Sequence, residues 1–598
     1  MSLKASIFRA ERMSRRRLLA GMGAISGGML ASSLLAACGG SDDEEETPAT
    51  SGGTTPEATS ASSGSETATE APAEATTDAG AESSPTEGGE AAATEPSAEP
   101  TGEGVYGGVF NAAVESPPPT LDIAITLAAA AREATLYWHE SIVAYGEGYE
   151  IVPLVADSWE ASDDGMTYTF TLRDAKFSNG KQMTSDDVVA SFDRYMNVTA
   201  RASAFEMVDS WEAPDDKTFV MKLSYPTMTL LDALAYPVGT PVVFPRDVIE
   251  GKEAGKLSNE DMIGTGPYKL AEWKPDQYLK LVRNDEYVVT GTERDGLGGA
   301  RVPYFDEINL IPVPEVAGRV AGLETGEYDY AASPATTEYD RLKENSDIAP
   351  YIIEDQRWIV ILFNFRNEIS SNLKFRQAVQ AALDMDSLGQ SVTNGRKEFY
   401  TVQPSMWFKS SPWHTEVGAE LYNQKDIEKG TQLLQESGYT DQEIVMVTNR
   451  NYDYMYKTIV TAAEQLKAIG MNTKVEVIDW PAQQARWKES DWQMSVTGYL
   501  SQGIFAPDAF GAFYGGGGAD AGAGYDNPDM TKAFEDAMKA TTLEERKAAF
   551  EQVQRIWYDD VPGIKTVDTN GLTALRSDIQ GYIPWYNTTR FWTCWRGE

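Results

Sequence analysis

Residues 39–104 set the first limit on what this chain can fold into. They carry sixteen Asp or Glu, no Lys or Arg and no aromatic residue, and Ser, Thr, Ala, Gly and Pro make up the rest. Such a segment cannot bury enough apolar surface to offset the entropy of ordering it, and its like charges repel. It reads as a disordered tether, roughly 45 Å across as a neutral coil and longer with its charge. Folding must therefore begin near Val105. The chain from Val105 to Glu598 is too long for one core, so two or three domains are expected.

Ahead of the tether, "MSRRRLLAGMGAISGGMLASSLLAAC" has a basic start, an apolar middle broken by Gly and Ser, and a cysteine after Leu35, Ala36 and Ala37. A positive flank, a short apolar run and a small-residue cleavage site describe an export signal over residues 1–37. Ser14-Arg15-Arg16-Arg17-Leu18-Leu19 resembles a twin-arginine motif, which is an address read by a receptor. Leu35-Ala36-Ala37-Cys38 resembles a bacterial lipobox. Cys38 is then the lipidated first residue of the mature chain and residues 38–104 its tether; the alternative is an ordinary signal peptide with an incidental cysteine. Beyond the tether there is no uninterrupted apolar run of about 18 residues, the length a membrane-spanning helix needs. The expected place is the outer face of the cytoplasmic membrane, with the lipid as anchor.

The whole chain carries a formal charge of −41. Without residues 1–38, with six bases and one acid, and 39–104, with sixteen acids, 44 bases face 74 acids. That balance opposes nucleic-acid binding and keeps a protein soluble, here as an expected monomer. Of the two cysteines, Cys594 has no intramolecular partner once Cys38 is assigned, so there is no disulfide framework. The two histidines, His139 and His414, lie far apart, and no zinc spacing, H-E-x-x-H, G-x-S-x-G or phosphate-binding glycine loop occurs. No metal and no cofactor is expected.

Two acidic pairs, Asp163-Asp164 and Asp186-Asp187, raise the question of carboxylate chemistry. Asp163-Asp164-Gly165 precedes "TYTFTLR", in which Tyr168, Phe170 and Leu172 alternate with polar residues, a strand pattern. Asp-Gly between two such runs predicts a hairpin. Thr184-x-x-Asp187 resembles a capping box, with Val188, Val189, Phe192 and Tyr195 after it at helical spacing. The first pair is turn chemistry, the second starts a helix, and neither is read as catalytic or metal-binding.

The same stretch, "IVPLVADSWEASDDGMTYTFTLRDAKFSNGKQMTSDDVVASFDRYM", resembles the signature of the extracellular solute-binding proteins, family 5, the peptide- and nickel-binding group of bacterial ABC importers. The likeness continues through Gly264-Thr265-Gly266-Pro267-Tyr268, "AGLETGEYDY", "FNFRNEISSNLKFRQAVQAALDMDSL" and "ERKAAFEQVQRIWYDDVPGI". It implies an α/β (α+β), two-lobed periplasmic-binding-protein-like fold with an extra domain, a hinge and an interlobe ligand cleft. By this resemblance residues 105–134, 264–354 and 565–598 form lobe one, 135–263 the extra domain and 355–564 lobe two.

The resemblance also implies ligand contacts. Trp480 and Gly498-Tyr499-Leu500-Ser501-Gln502 match the family's tryptophan and its Gly-Trp-x-x-Asp loop. In peptide-binding members that aspartate holds the ligand's ammonium. Gln502 stands there instead and can supply only neutral hydrogen bonds; Asp508 is the next acid along. An arginine used by some members for the far end of the ligand corresponds to Trp487, with Arg486 beside it. The expected role is to capture a peptide or peptide-like solute for an ABC permease. The same role for an oligosaccharide or a metal chelate is the alternative, and a wall-tethered hydrolase the reading from a different class.

Overall fold

The structure, a computed structural model, describes residues 104–500, except 200, 254 and 292, and 523–597, except 587; of Leu500 only the backbone is included. The export signal, Cys38, the tether, Gln502 and Asp508 lie outside these residues.

The first strand, β1 (Val109–Val114), buries Phe110, Ala112 and Ala113. After a short strand pair, Val143–Tyr145 with Ile151–Pro153, come β2 (Ala156–Ala161) and β3 (Thr167–Leu172), a second antiparallel pair. Their connection is the Asp-Gly turn. Asp164 accepts from the Ser162 hydroxyl at 2.6 Å and the Met166 N–H at 3.0 Å, while Gly165 takes φ +66°, where a side chain would be strained. Tyr168, Phe170 and Leu172 are buried as their period-two spacing predicts. Helix α1 (Ser185–Val198) starts at Thr184, whose N–H donates to the Asp187 carboxylate at 3.0 Å. That carboxylate also accepts from Lys181 Nζ at 2.9 Å and the Arg246 N–H at 2.8 Å. Strands β4 (Val208–Asp215) and β5 (Thr218–Leu223) complete a four-stranded sheet in the order β2-β3-β5-β4. Phe192 of α1 lies against the rings of Trp211 and Phe219 on that sheet. This sheet lies within the segment expected to form the extra domain.

The chain then returns to the sheet begun by β1. Strands β6 (Tyr268–Lys274) and β7 (Tyr278–Arg283) form a hairpin, and β8 (Glu307–Pro312) and the short β9 (Tyr330–Ala331) come after it. A sixteen-residue strand, β10 (Ile348–Phe363), is next. Helices α2 (Leu373–Ala382) and α3 (Asp453–Leu466) flank β11 (Ile444–Thr448), β12 (Thr473–Val477) and β13 (Met494–Leu500), with α4 (Trp480–Arg486) between the last two. Helix α5 (Leu543–Asp560) leads into β14 (Gly563–Arg576). These strands form one sheet in the order β12-β11-β13-β10-β14-β9-β1-β8-β7-β6, with Tyr400–Thr401 attached to β14.

Strands β10 and β14 run antiparallel along nearly their whole length and join the two lobes. One end of the pair faces β9 and β1, and the other faces β13 and β11. Between Ile353 and Arg357 the register slips, and Asp355 takes φ +55°. A bulge kinks a strand and frees it from strict alternation, which suits a hinge. The boundary expected between residues 354 and 355 falls on this bulge. That between 564 and 565 falls inside β14, a few residues before the part of it that faces the bulge.

Beyond the bulge, "WIVILF" is apolar on both faces, as a strand covered on both sides must be. Trp358, Val360 and Leu362 enter the core that also holds Phe110, Tyr268 and Trp557. Ile359, Ile361 and Phe363 enter a second core with Phe375, Ile459 and Val496. One strand thus serves two cores, which ties the lobes together.

Candidate functional site

A cavity of about 440 Å³ opens beside the bulge, within the size range of small-ligand sites. On the lobe-one side it is walled by the end of β1 and the residues after it, Arg132–Ala134, the β6–β7 turn and the tyrosines Tyr330, Tyr582 and Tyr586. On the hinge side it meets Ile353, Gln356 and Arg357 of β10, and Asn570 and Gly571 of β14.

Most charges lining the cavity already have partners. Arg132 Nε donates to Glu133 at 3.0 Å, and the other Glu133 oxygen accepts from the Thr589 N–H at 2.6 Å and hydroxyl at 2.7 Å. Lys274 is 3.1 Å from Glu272 and donates to the Tyr278 hydroxyl at 2.7 Å. Arg357 differs. Its guanidinium lies 4.5 Å from the centre of the Tyr454 ring, and it makes no ion pair with a described residue. The exposed acids Glu115 and Asp276 also line the cavity without an ion pair among the described residues. Both signs of charge are thus offered to a ligand.

The residues expected at the ligand are spread along the lobe-two side. Trp480 opens α4 after Asp479, whose carboxylate caps the helix by accepting from the Ala482 N–H at 2.8 Å. Its ring meets Tyr452 at 5.5 Å and Trp487 at 5.6 Å, both edge-on, and Tyr452 lies 6.0 Å from Tyr454. An aromatic row therefore runs from Trp487 to Tyr454, under Arg357. Gly498 sits on β13 beside Arg357 and Tyr454, and Tyr499 stacks on Trp358 at 5.2 Å. Arg486 is engaged elsewhere, with Asp491 at 2.6 Å and Glu476 at 3.3 Å. None of Trp480, Arg486, Gly498 and Tyr499 lines the cavity itself. Gln356, Arg357 and the lobe-one tyrosines were not anticipated from the sequence; only an arginine and a glutamine just before a long apolar run hinted at them.

Behind the hinge lies a buried ionic group. Lys565 and Asp568 of β14 meet at 2.9 Å, each almost fully buried. Burial pushes the Asp568 carboxyl up to about 6 and the Lys565 ammonium down, while their mutual attraction opposes both shifts. Gln403 donates to Asp568, and Lys565 donates to the Gln403 carbonyl at 2.9 Å. Asp355, on the bulge, accepts from the Ser410 hydroxyl and is raised by burial. Cys594 is free and buried, with its thiol pushed up to about 12 by burial, which makes it inert.

Among the described residues, no group of three or more His, Cys, Asp or Glu is arranged to hold a metal. No helix among them is long and apolar enough to cross a membrane.

The sequence profile of the bacterial extracellular solute-binding proteins, family 5 Middle, matches residues 150–521, more than half of the chain. The oligopeptide-binding protein AppA of Bacillus subtilis is 26% identical over 477 residues, covering 73% of this chain and 83% of that protein. Heme-binding protein A of Haemophilus influenzae is 27% identical over 470 residues, covering 73% and 82%. Among solved structures, the substrate-binding protein CtaP of Listeria monocytogenes superposes with a TM-score of 0.72 at 22% identity, covering 82% of this chain and all of that one. Its likeness confirms the two-lobed α/β fold. These relatives bind solutes and are not enzymes. The matched profile, the crossing strands and the cavity at their bulge together make this chain a member of the bacterial extracellular solute-binding proteins, family 5.

Proposed function

We propose that the protein captures a peptide or peptide-like solute between its two lobes and delivers it to an ABC permease, while lipidated Cys38 holds it to the outer face of the cytoplasmic membrane. The observation that carries this reading is the cavity at the hinge, which combines Arg357 with the exposed acids Glu115 and Asp276. A zwitterionic chain meets both signs there, and the neutral position at Gln502 leaves the ammonium to other acids. That the B. subtilis relative is named for oligopeptides points the same way. Trp480, Gly498, Tyr499 and Gln502 are retained as ligand contacts that complete the site when the lobes close. The second reading, a neutral oligosaccharide, is motivated by the aromatic row Trp487, Trp480, Tyr452 and Tyr454, since aromatic faces suit sugar rings.

Uptake separates these roles. Cells lacking this chain should fail to import short peptides, and the full chain should restore import. Cys38→Ala should shed the protein from membranes and restore little uptake, because one acyl-bearing cysteine is the only anchor proposed. Membrane retention of Cys38→Ala after a high-salt wash would refute the anchor. Restored import of an oligosaccharide but no peptide would replace the ligand class.

A further inference from the structure

Two consecutive residues on β10, Gln356 and Arg357, both line the cavity. On a regular strand neighbours point to opposite faces, and only the bulge lets both reach one space. Each is laid over a glycine of an adjoining strand. A Cβ on Gly498 of β13 would come 2.7 Å from Arg357 Cδ and 2.8 Å from the Tyr454 ring. A Cβ on Gly571 of β14 would come 2.4 Å from Gln356 Nε2. Any other residue at these positions would push the pair out of place. Arg357 is half-buried, and its guanidinium lies 4.5 Å from the centre of the Tyr454 ring, a cation–π contact that restrains it. Among the described residues that guanidinium has neither an ion pair nor a side-chain hydrogen bond, in a chain with far more acids than bases. A half-buried cation beside a cavity, with no ion pair among the described residues, is open to an anionic ligand.

We propose that Arg357, with Gln356, is the carboxylate anchor of the solute site. The guanidinium fork takes both oxygens of a ligand carboxylate, such as the C-terminus of a short peptide, and the Gln356 amide takes the adjoining peptide group. A planar fork matches a carboxylate in two parallel hydrogen bonds, which an ammonium does not. Because Tyr454 already holds the fork, little ordering remains at binding. Tyr454 belongs to lobe two and the opposite cavity wall to lobe one, so a carboxylate held here lies where both lobes can touch the ligand. The proposal rests on the reading of the protein as a peptide-capturing solute-binding protein and deepens it: the ligand must carry a free carboxylate.

The test uses the full mature chain and a random tetrapeptide library, half with free C-termini and half amidated, with retained peptides read by mass spectrometry. The wild-type chain should retain free acids over amides by about tenfold or more, as expected of a charge-assisted hydrogen bond. Arg357→Gln should bring that ratio close to one while amides are still retained. Arg357→Lys, which keeps the charge but loses the fork, should fall between. Gly498→Ala, which displaces the arginine without removing it, should also lower the ratio. Equal retention of acids and amides by the wild-type chain would overturn the anchor and leave peptide capture standing. A preference that survives in Arg357→Gln would overturn the assignment to this residue. Retention of neither half would sink peptide capture, and the anchor with it.

Discussion

His139 is buried where a charged imidazole has no outlet. Its ring lies 4.3 Å from that of Phe244, and neither ring nitrogen has a hydrogen-bond partner among the described residues. Burial first, and the nearby Arg194 second, lower its pKa to about 3. The unfolded chain takes up this proton near pH 6.5 and the folded chain only near 3. Between those values the unfolded state holds more protons, so stability falls as pH falls through that window. The contribution has a slope of up to ~1.4 kcal/mol per pH unit. Urea unfolding at pH 4, 5, 6 and 7 should therefore show a shallower acid loss for His139→Leu than for the wild type; equal slopes would show that the ring finds a proton acceptor or water. Nothing around this histidine in "LYWHESI" marks it as buried beside an arginine. Arg357 was equally hidden, because what holds it, Tyr454 and Gly498, comes from elements far along the chain. Arg486 was half legible: Glu476 and Asp491 flank it in sequence, close enough to have signalled a spent charge. Trp480 and Gly498 could be placed near the cleft only through family spacing.

Among the elements, α1 shows how much a local signal can carry. Thr184-x-x-Asp187 gave the helix start because capping is decided within four residues. The sequence did not show that Asp187 would also receive Lys181 and the Arg246 N–H, ties that depend on a loop folding back from beyond β5. Removing its carboxylate therefore costs more than a cap alone, which is typically ~0.5–2 kcal/mol, since the Lys181 ammonium and the Arg246 N–H lose an acceptor as well. Asp187→Ala should destabilise by about 2–4 kcal/mol in urea unfolding, whereas Asp186→Ala, at an exposed position on the same turn, should change little. Similar values for both would mean that only the helix dipole is at work. The β2–β3 hairpin was legible for the same local reason, through its Asp-Gly turn. The pairing of β10 with β14 was not. Its partners lie some two hundred residues apart, Pro350 and the acids at 354 and 355 interrupt the apolar alternation, and the bulge that makes the hinge has no sequence signature of its own.

On the scale of the whole molecule, one sheet runs through both lobes and narrows to two crossing strands at the bulge, beside which lies the cavity. Two cores share the part of β10 beyond the kink between Ile353 and Arg357, the first of them reaching from Phe110 and Tyr268 to Trp557, and the irregular pairing at the kink is where a hinge would bend. The fold class was legible because patterning and family motifs extend over most of the chain after the tether. The site was less so, because a cleft is formed by residues brought together only at the end of folding. Gln502 and Asp508, the polar candidates that family spacing singles out, lie outside the described residues, and the cavity itself pointed to Arg357 instead. Native mass spectrometry of the mature chain, incubated with a short-peptide mixture and then denatured, tests solute capture most directly. One intact peptide per chain, released unchanged in mass, is the expected result. A chain that emerges without any adduct, or that returns the peptides cleaved, would contradict it.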